Sequence, residues 1–139
     1  MGIDTADEKL TVECQTLLSS FFQALDAGDP GACAFVHPDF VWHRQGKVLR
    51  GPQAIGAVLQ ARPADRLVRH LFSNFVVTGS SDGRAKSKAY YTVYAHEGAE
   101  RPGVIRGPER VGDYHAEFIR SEDGWRIASL RAERLFSAH

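Results

Sequence analysis

Residues 67–96 read LVRHLFSNFVVTGSSDGRAKSKAYYTVYAH. The fold follows from how this stretch alternates. Successive side chains of a strand point to opposite faces. In the first half, His70, Phe72, Asn74 and Val76 share one face, and Leu71, Ser73, Phe75 and Val77 the other. In the second half, Ala85, Ser87, Ala89, Tyr91 and Val93 form an inner face. Lys86, Lys88, Tyr90, Thr92 and Tyr94 form an outer one, which the lysines mark as solvated. The turn-rich GSSDG between the halves reads as a hairpin connection. Two further alternating segments, 110–120 and 125–136, are joined in the same way by SEDG. Four long antiparallel strands are therefore expected at 67–78, 84–96, 110–120 and 125–136, with a long loop, GAERPGVIRGPE, between the two pairs.

The period changes upstream. Leu10, Cys14, Leu17, Leu18, Phe21, Phe22 and Leu25 recur at helical spacing. Thr5 to Glu8 fits a capping box at the start of that helix, and DAGDPG (26–31) stops it. Pro30 opens a short second helix to Val36, with Asp29 as its natural N-cap. DFVWHR (39–44) reads as a strand, QGK as a turn and VLRG as a short return strand. GPQAIGAVLQAR (51–62) reads as another helix. Helices followed by a run of antiparallel strands predict one α+β domain over 1–139, with its core at about 7–136: a curved sheet wrapped over N-terminal helices. Such a cone leaves room for a small-molecule pocket.

The chain is 43% hydrophobic and 24% charged, and its 17 basic residues equal its 17 acidic ones. That composition suits a globular domain. It gives no basic footprint for nucleic acid. No apolar run approaches the roughly 20 residues a membrane helix needs. The acidic, polar start MGIDTADEKL does not read as a secretory signal. With only two cysteines, Cys14 and Cys33, neither in a CxxC pair, both are expected to be reduced, buried thiols in a cytoplasmic protein. No histidine or cysteine spacing suggests a metal site, and no phosphate-binding glycine loop is present, so no cofactor is expected.

His70 and Asn74 place two polar groups on a largely apolar strand face. An unpaired buried polar group costs about 1–3 kcal/mol on mutational scales, so each needs a partner. Either they are structural, Asn74 holding backbone near a bulge and His70 satisfied in the core, or they line a pocket. Helix spacing and strand parity gather Leu17, Phe21, Leu25, Val41, Phe72, Tyr91, Tyr114 and Phe118 towards the same interior. The two tyrosines are readable as pocket hydroxyls or as ordinary core. Walls of this kind suit a mostly apolar ligand bearing one or two oxygens.

ALDAGDPGACAFVHPDFVW, LRGPQAIGAVL, RHLFSNFVV, YYTVYAH and DGWRIASLR, in this order and spacing, resemble the SnoaL-like branch of the nuclear transport factor 2-like superfamily over about residues 10–136. The resemblance implies a cystatin-like α+β cone. It also implies kinship with polyketide cyclases, ketosteroid isomerases and scytalone dehydratases, and with non-catalytic members such as ring-hydroxylating dioxygenase small subunits. In the dehydratase branch an Asp near the end of the first helix orients a His on the first long strand; the matching residues are Asp26 and His70. The sequence departs from the branch in two places. Ala116 stands where a polar pocket group is common, and Leu25 and Phe22 stand where a tyrosine accompanies the Asp. The resemblance implies cofactor-independent acid/base chemistry on a small hydrophobic or cyclic substrate: isomerisation, dehydration or cyclisation. In this reading Asp26 orients His70, His70 moves the proton, and Asn74, Tyr91 or Tyr114 steadies an oxygen. Phe21, Leu25, Phe72 and Phe118 form the walls. Together with the exposed Tyr90, Thr92, Tyr94 and Phe136, the resemblance also implies a homodimer joined through its sheets.

Overall fold

A computed structural model describes residues 5–138, with side chains from Asp7 onward. The capping box expected around Thr5 lies outside the described side chains. The first helix, α1, spans Thr5–Asp26. Its apolar stripe supplies Cys14, Leu18, Phe21, Phe22 and Leu25 to the core. A 3₁₀ turn follows at Pro30–Phe35, and the Asp29 side chain accepts a hydrogen bond from the Gly31 N–H at 2.8 Å, as the N-cap reading requires. Then come β1 (Val36–Arg44), β2 (Lys47–Arg50), α2 (Gln53–Ala61), β3 (Arg66–Ser81), β4 (Arg84–Glu97), β5 (Arg110–Ser121) and β6 (Gly124–Ser137).

The six strands make one curved, unclosed sheet in the order β2-β1-β6-β5-β4-β3. The hairpins β1–β2, β3–β4 and β5–β6 are antiparallel, and so is β4–β5. The β1–β6 pair is parallel and joins the two ends of the fold, with Trp42 opposite Leu130. Nothing local in the sequence encodes that pairing; it exists because both strands bury their apolar faces on α1. The concave face holds Phe40, Trp42, Ala89, Tyr91, Val93, Tyr114, Ala116, Phe118, Ile127 and Leu130, all buried.

Register slips shape this face. Between Ser73 and Val76, β3 carries one extra residue relative to β4. Asn74 occupies the left-handed region there, at φ 56°. Before the bulge, Val68, His70 and Phe72 turn inward; after it, Phe75 and Val77 do. On β6, Leu135 is the extra residue where Gly112 pairs with Arg134 and Val111 with Phe136. A Cβ on Gly112 would collide with the Glu133 carbonyl oxygen, so the close approach of β5 and β6 at this point depends on glycine.

The two cysteines part company. Cys14 is fully buried, and burial, with a smaller push from Glu13, lifts its thiol to about 12, which leaves it unreactive. Cys33 is exposed, contrary to the expectation that both would be buried. It sits in the 3₁₀ turn, whose only buried residue is Ala32. No helix among the described residues is long and apolar enough to cross a membrane.

Candidate active site

Asp26 is the last residue of α1, and His70 lies early on β3, where the sheet passes the helix end. The two lie within the hydrogen-bond reach that the resemblance implied. Asp26 Oδ1 is 2.6 Å from His70 Nδ1, and Asp26 Oδ2 accepts the His70 backbone N–H at 2.9 Å. Both side chains are largely buried, with 12% of the imidazole and 7% of the carboxylate exposed. A carboxylate can only accept, so Nδ1 carries a proton, and in the neutral imidazole Nε2 is then the nitrogen with the lone pair. Because both carboxylate oxygens are engaged, neither Asp26 nor the ring can turn without breaking a bond.

The imidazole lines a cleft of about 590 Å³. Its ring packs on Phe22 at 4.7 Å between centroids. Phe22, Trp42, Tyr91 and Tyr114, with Leu25 beside them, give the cleft a largely aromatic floor. Tyr114 stands at its centre, edge-on to Phe22 at 5.4 Å and to Tyr91 at 5.4 Å. Burial pushes the Tyr114 phenol far above its ordinary value; a hydrogen bond from Trp42 and the positive charge of Arg44 pull it back only in part. Indole is a donor only, so it is the Trp42 N–H that meets the phenol oxygen, and the phenolic O–H remains available to donate. Tyr114 is thus a neutral hydrogen-bond donor throughout the physiological range.

The structure redistributes the expected walls. Leu25, His70, Tyr91 and Tyr114 line the cleft. Phe72 lies on the other side of the dyad, in a neighbouring depression with Phe22, Asp26 and His70. Phe21 and Phe118 are fully enclosed in the core, at 0% and 1% exposure, and belong to its packing; both lie one layer deeper than parity alone can show. Val41 points to the convex side, in a shallow groove with His43 and Arg50. Asn74 departs most: the bulge takes it off the His70 face, and it is exposed. Its role is conformational, because Asn tolerates the left-handed region better than other non-glycine residues. Asn74→Gly is therefore expected to leave stability nearly unchanged. Asn74→Val, β-branched at positive φ, is expected to cost about 1–3 kcal/mol. Urea unfolding of both variants measures the difference, and equal loss in the two would contradict the strain argument.

Sequence reading missed the polar part of the cleft. Arg44, Arg110 and Arg134 line it together with His70. The signal was present for two of them. Arg44 continues the Phe40–Trp42 parity, and Arg110 continues that of Tyr114 and Phe118. Arg134 shares the parity of Leu130 and Ala132, which an earlier register slip of β6, between Ile127 and Ser129, sets out of phase with Ile127; no local pattern reveals that slip. Among the described residues, no three His, Cys, Asp or Glu side chains converge as metal ligands would.

A family model described as a SnoaL-like domain matches residues 9–131. No curated protein matches the sequence. Among solved structures, Aln2 from a Streptomyces species is similar at 25% identity and TM-score 0.76, covering 91% of this chain and 90% of its own. ActVI-ORFA from Streptomyces coelicolor is similar at 22% identity and TM-score 0.74, covering 91% and 97%. A scytalone dehydratase-like structure from Novosphingobium aromaticivorans is similar at 15% identity and TM-score 0.78, covering 97% and 91%.

Proposed function

Because this chain belongs to the SnoaL-like domain family, we propose that it is a cofactor-independent acid/base enzyme acting on a small, largely hydrophobic, oxygenated substrate. The observation that carries this reading is the doubly bonded Asp26–His70 pair at the edge of an aromatic cleft. In the proposed reaction His70 Nε2 removes a proton from carbon beside a carbonyl. Asp26 stabilises the imidazolium that forms, and the Tyr114 hydroxyl donates to the developing enolate oxygen. Return of the proton from His70 at another carbon gives isomerisation; its transfer to a departing β-hydroxyl, which leaves as water, gives dehydration; attack of the enolate on a second carbonyl, whose oxygen takes the proton, gives cyclisation. All three begin with the same proton transfer, so one assay reaches them together. One of the similar structures carries the name of a dehydratase, which is compatible with the second of these outcomes.

The test is exchange of the α-protons of 2-tetralone into D₂O, followed by NMR. The expected result is exchange above the buffer rate with the native protein and at the buffer rate with His70→Gln. A ketone that binds without exchanging would overturn the enzymatic reading in favour of a binding module of the dioxygenase small-subunit kind.

The proposed assembly is a homodimer through the convex sheet face. Leu71, Tyr90 and Phe136 are exposed at 50%, 50% and 68%, and large apolar side chains on one sheet face support an interface there. Light scattering at micromolar concentration is expected to report twice the 15.4 kDa chain mass; a monomer would defeat it.

A further inference from the structure

The cleft beside His70 carries three guanidinium groups, and among the described residues no carboxylate lines it; Asp26, Glu97 and Glu109 lie in an adjoining hollow that Arg44 and Arg110 also border. The three guanidinium groups are not equivalent. Arg110 is bonded to Glu109 at 2.8 Å, and the same glutamate also holds Arg66 at 3.1 Å. Arg66 has a second acidic partner in Glu97. Among the described residues, neither Arg44 nor Arg134 has an acidic partner. Arg44 is only partly exposed and rests over the Trp42 ring at 5.5 Å from its centroid. Its charge is disfavoured first by burial and then by Arg110 and Arg66. A half-buried cation among other cations is costly unless an anion joins it. It is also held still by its stack on an indole, which orients its two-pronged donor face.

We propose that Arg44, with Arg134 beside it, binds a carboxylate on the ligand of this cleft, so that the substrate is an aromatic or alicyclic carboxylic acid with its reactive carbon at His70. The inference rests on the cleft being the substrate site, as proposed above. It corrects the expectation of an almost wholly apolar ligand: the floor is apolar, and the mouth is cationic. A single carboxylate fits better than a dianion. Arg110 already shares a glutamate, which leaves one part-buried and one exposed guanidinium unmatched, and a planar carboxylate takes a guanidinium through two parallel N–H···O bonds.

The test uses 2-naphthoate, 2-naphthamide and 2-naphthyl phosphate, titrated against the native protein, Arg44→Gln, Arg44→Lys, Arg134→Gln and His70→Gln. Trp42 in the cleft supplies the fluorescence signal. Naphthoate is expected to bind at least about tenfold more tightly than the isosteric amide, a difference near 1.4 kcal/mol. Arg44→Gln is expected to abolish that preference. Arg44→Lys, which keeps the charge and much of the stem, is expected to retain part of it, and Arg134→Gln to weaken it less than Arg44→Gln. Equal affinity for acid and amide in the native protein, or a preference untouched in Arg44→Gln, overturns the proposal. So does tighter binding of the phosphate, or failure of naphthoate to bind at millimolar concentration. His70→Gln separates the two proposals. A carboxylate preference that survives in this variant upholds the Arg44 site whether or not the native protein exchanges ketone protons; its disappearance there assigns the preference to the imidazole and overturns the site.

Discussion

His70→Gln is expected to slow α-proton exchange in the bound ketone by about 10²–10⁴-fold, the range a positioned general base supplies. The carboxamide fills similar space but cannot accept and release a proton. Asp26→Asn is expected to lose a large part of the same factor by a different route. The native carboxylate accepts from two donors on one residue, the His70 backbone N–H and Nδ1–H. An asparagine side chain has one oxygen and one NH₂. If the oxygen keeps the backbone N–H, the NH₂ faces Nδ1 and forces the ring proton onto Nε2, where the reaction needs a lone pair. Asp26→Asn thus leaves the imidazole in place in its inactive tautomer. Exchange rates measured alongside a thermal unfolding curve separate the tautomer effect from loss of fold. A folded Asp26→Asn variant with native exchange rates would remove the dyad from the mechanism.

Phe21→Ala is expected to cost about 3–5 kcal/mol of stability, the usual range for emptying a buried aromatic site. Phe21 is fully buried. Its ring meets Phe22 and Trp42 edge-on at 5.1 and 5.7 Å and lies 6.2 Å from Phe40. It therefore links α1 to β1 beneath the cleft, and its neighbours belong to two rigid elements that cannot close over the void. The urea midpoint should fall with the slope unchanged; a loss below about 1.5 kcal/mol would show that the site collapses. Phe22 and Trp42 also form the cleft floor, so ligand affinity should fall in the same variant even where it remains folded.

Most of the architecture was readable because it is local. Helical spacing in α1, alternation in the four long strands and turn chemistry at GSSDG and SEDG act over a few residues, and every one of those elements is present. Long-range features were not readable. The parallel β1–β6 pair depends on packing against α1, and the bulges at Asn74 and Leu135 depend on cross-strand fit. The candidate site divides in the same way. The Asp26–His70 pairing was reachable only through family likeness, since the two residues lie on different elements. Tyr91, Tyr114 and Leu25 followed from periodicity. Asn74 has two readings in the sequence, backbone near a bulge or pocket wall, and strict alternation cannot choose between them; the structure has the bulge. Arg44 and Arg110 stand in legible parity beside inward-facing residues, but charge alone points a side chain to the surface; the open mouth of the cleft, a long-range feature, is what gives them an inward place.

The Asn74 bulge and the Asp26 carboxylate share one further property. The sheet does not close, and β3 is a 16-residue strand at its edge. A long edge with free backbone donors and acceptors invites another chain to add to it, the first step of aggregation. Here the edge is broken twice by register slips, between Ser73 and Val76 and between Val77 and Gly79. Nearer its start, the His70 backbone N–H is taken by a side chain of the protein itself. The residue proposed to tune the base therefore also stoppers the exposed margin of the sheet. Blocking the edge needs only a side-chain oxygen at position 26, which asparagine supplies as well as aspartate, so it is the carboxylate's second bond, to Nδ1, that speaks for catalysis.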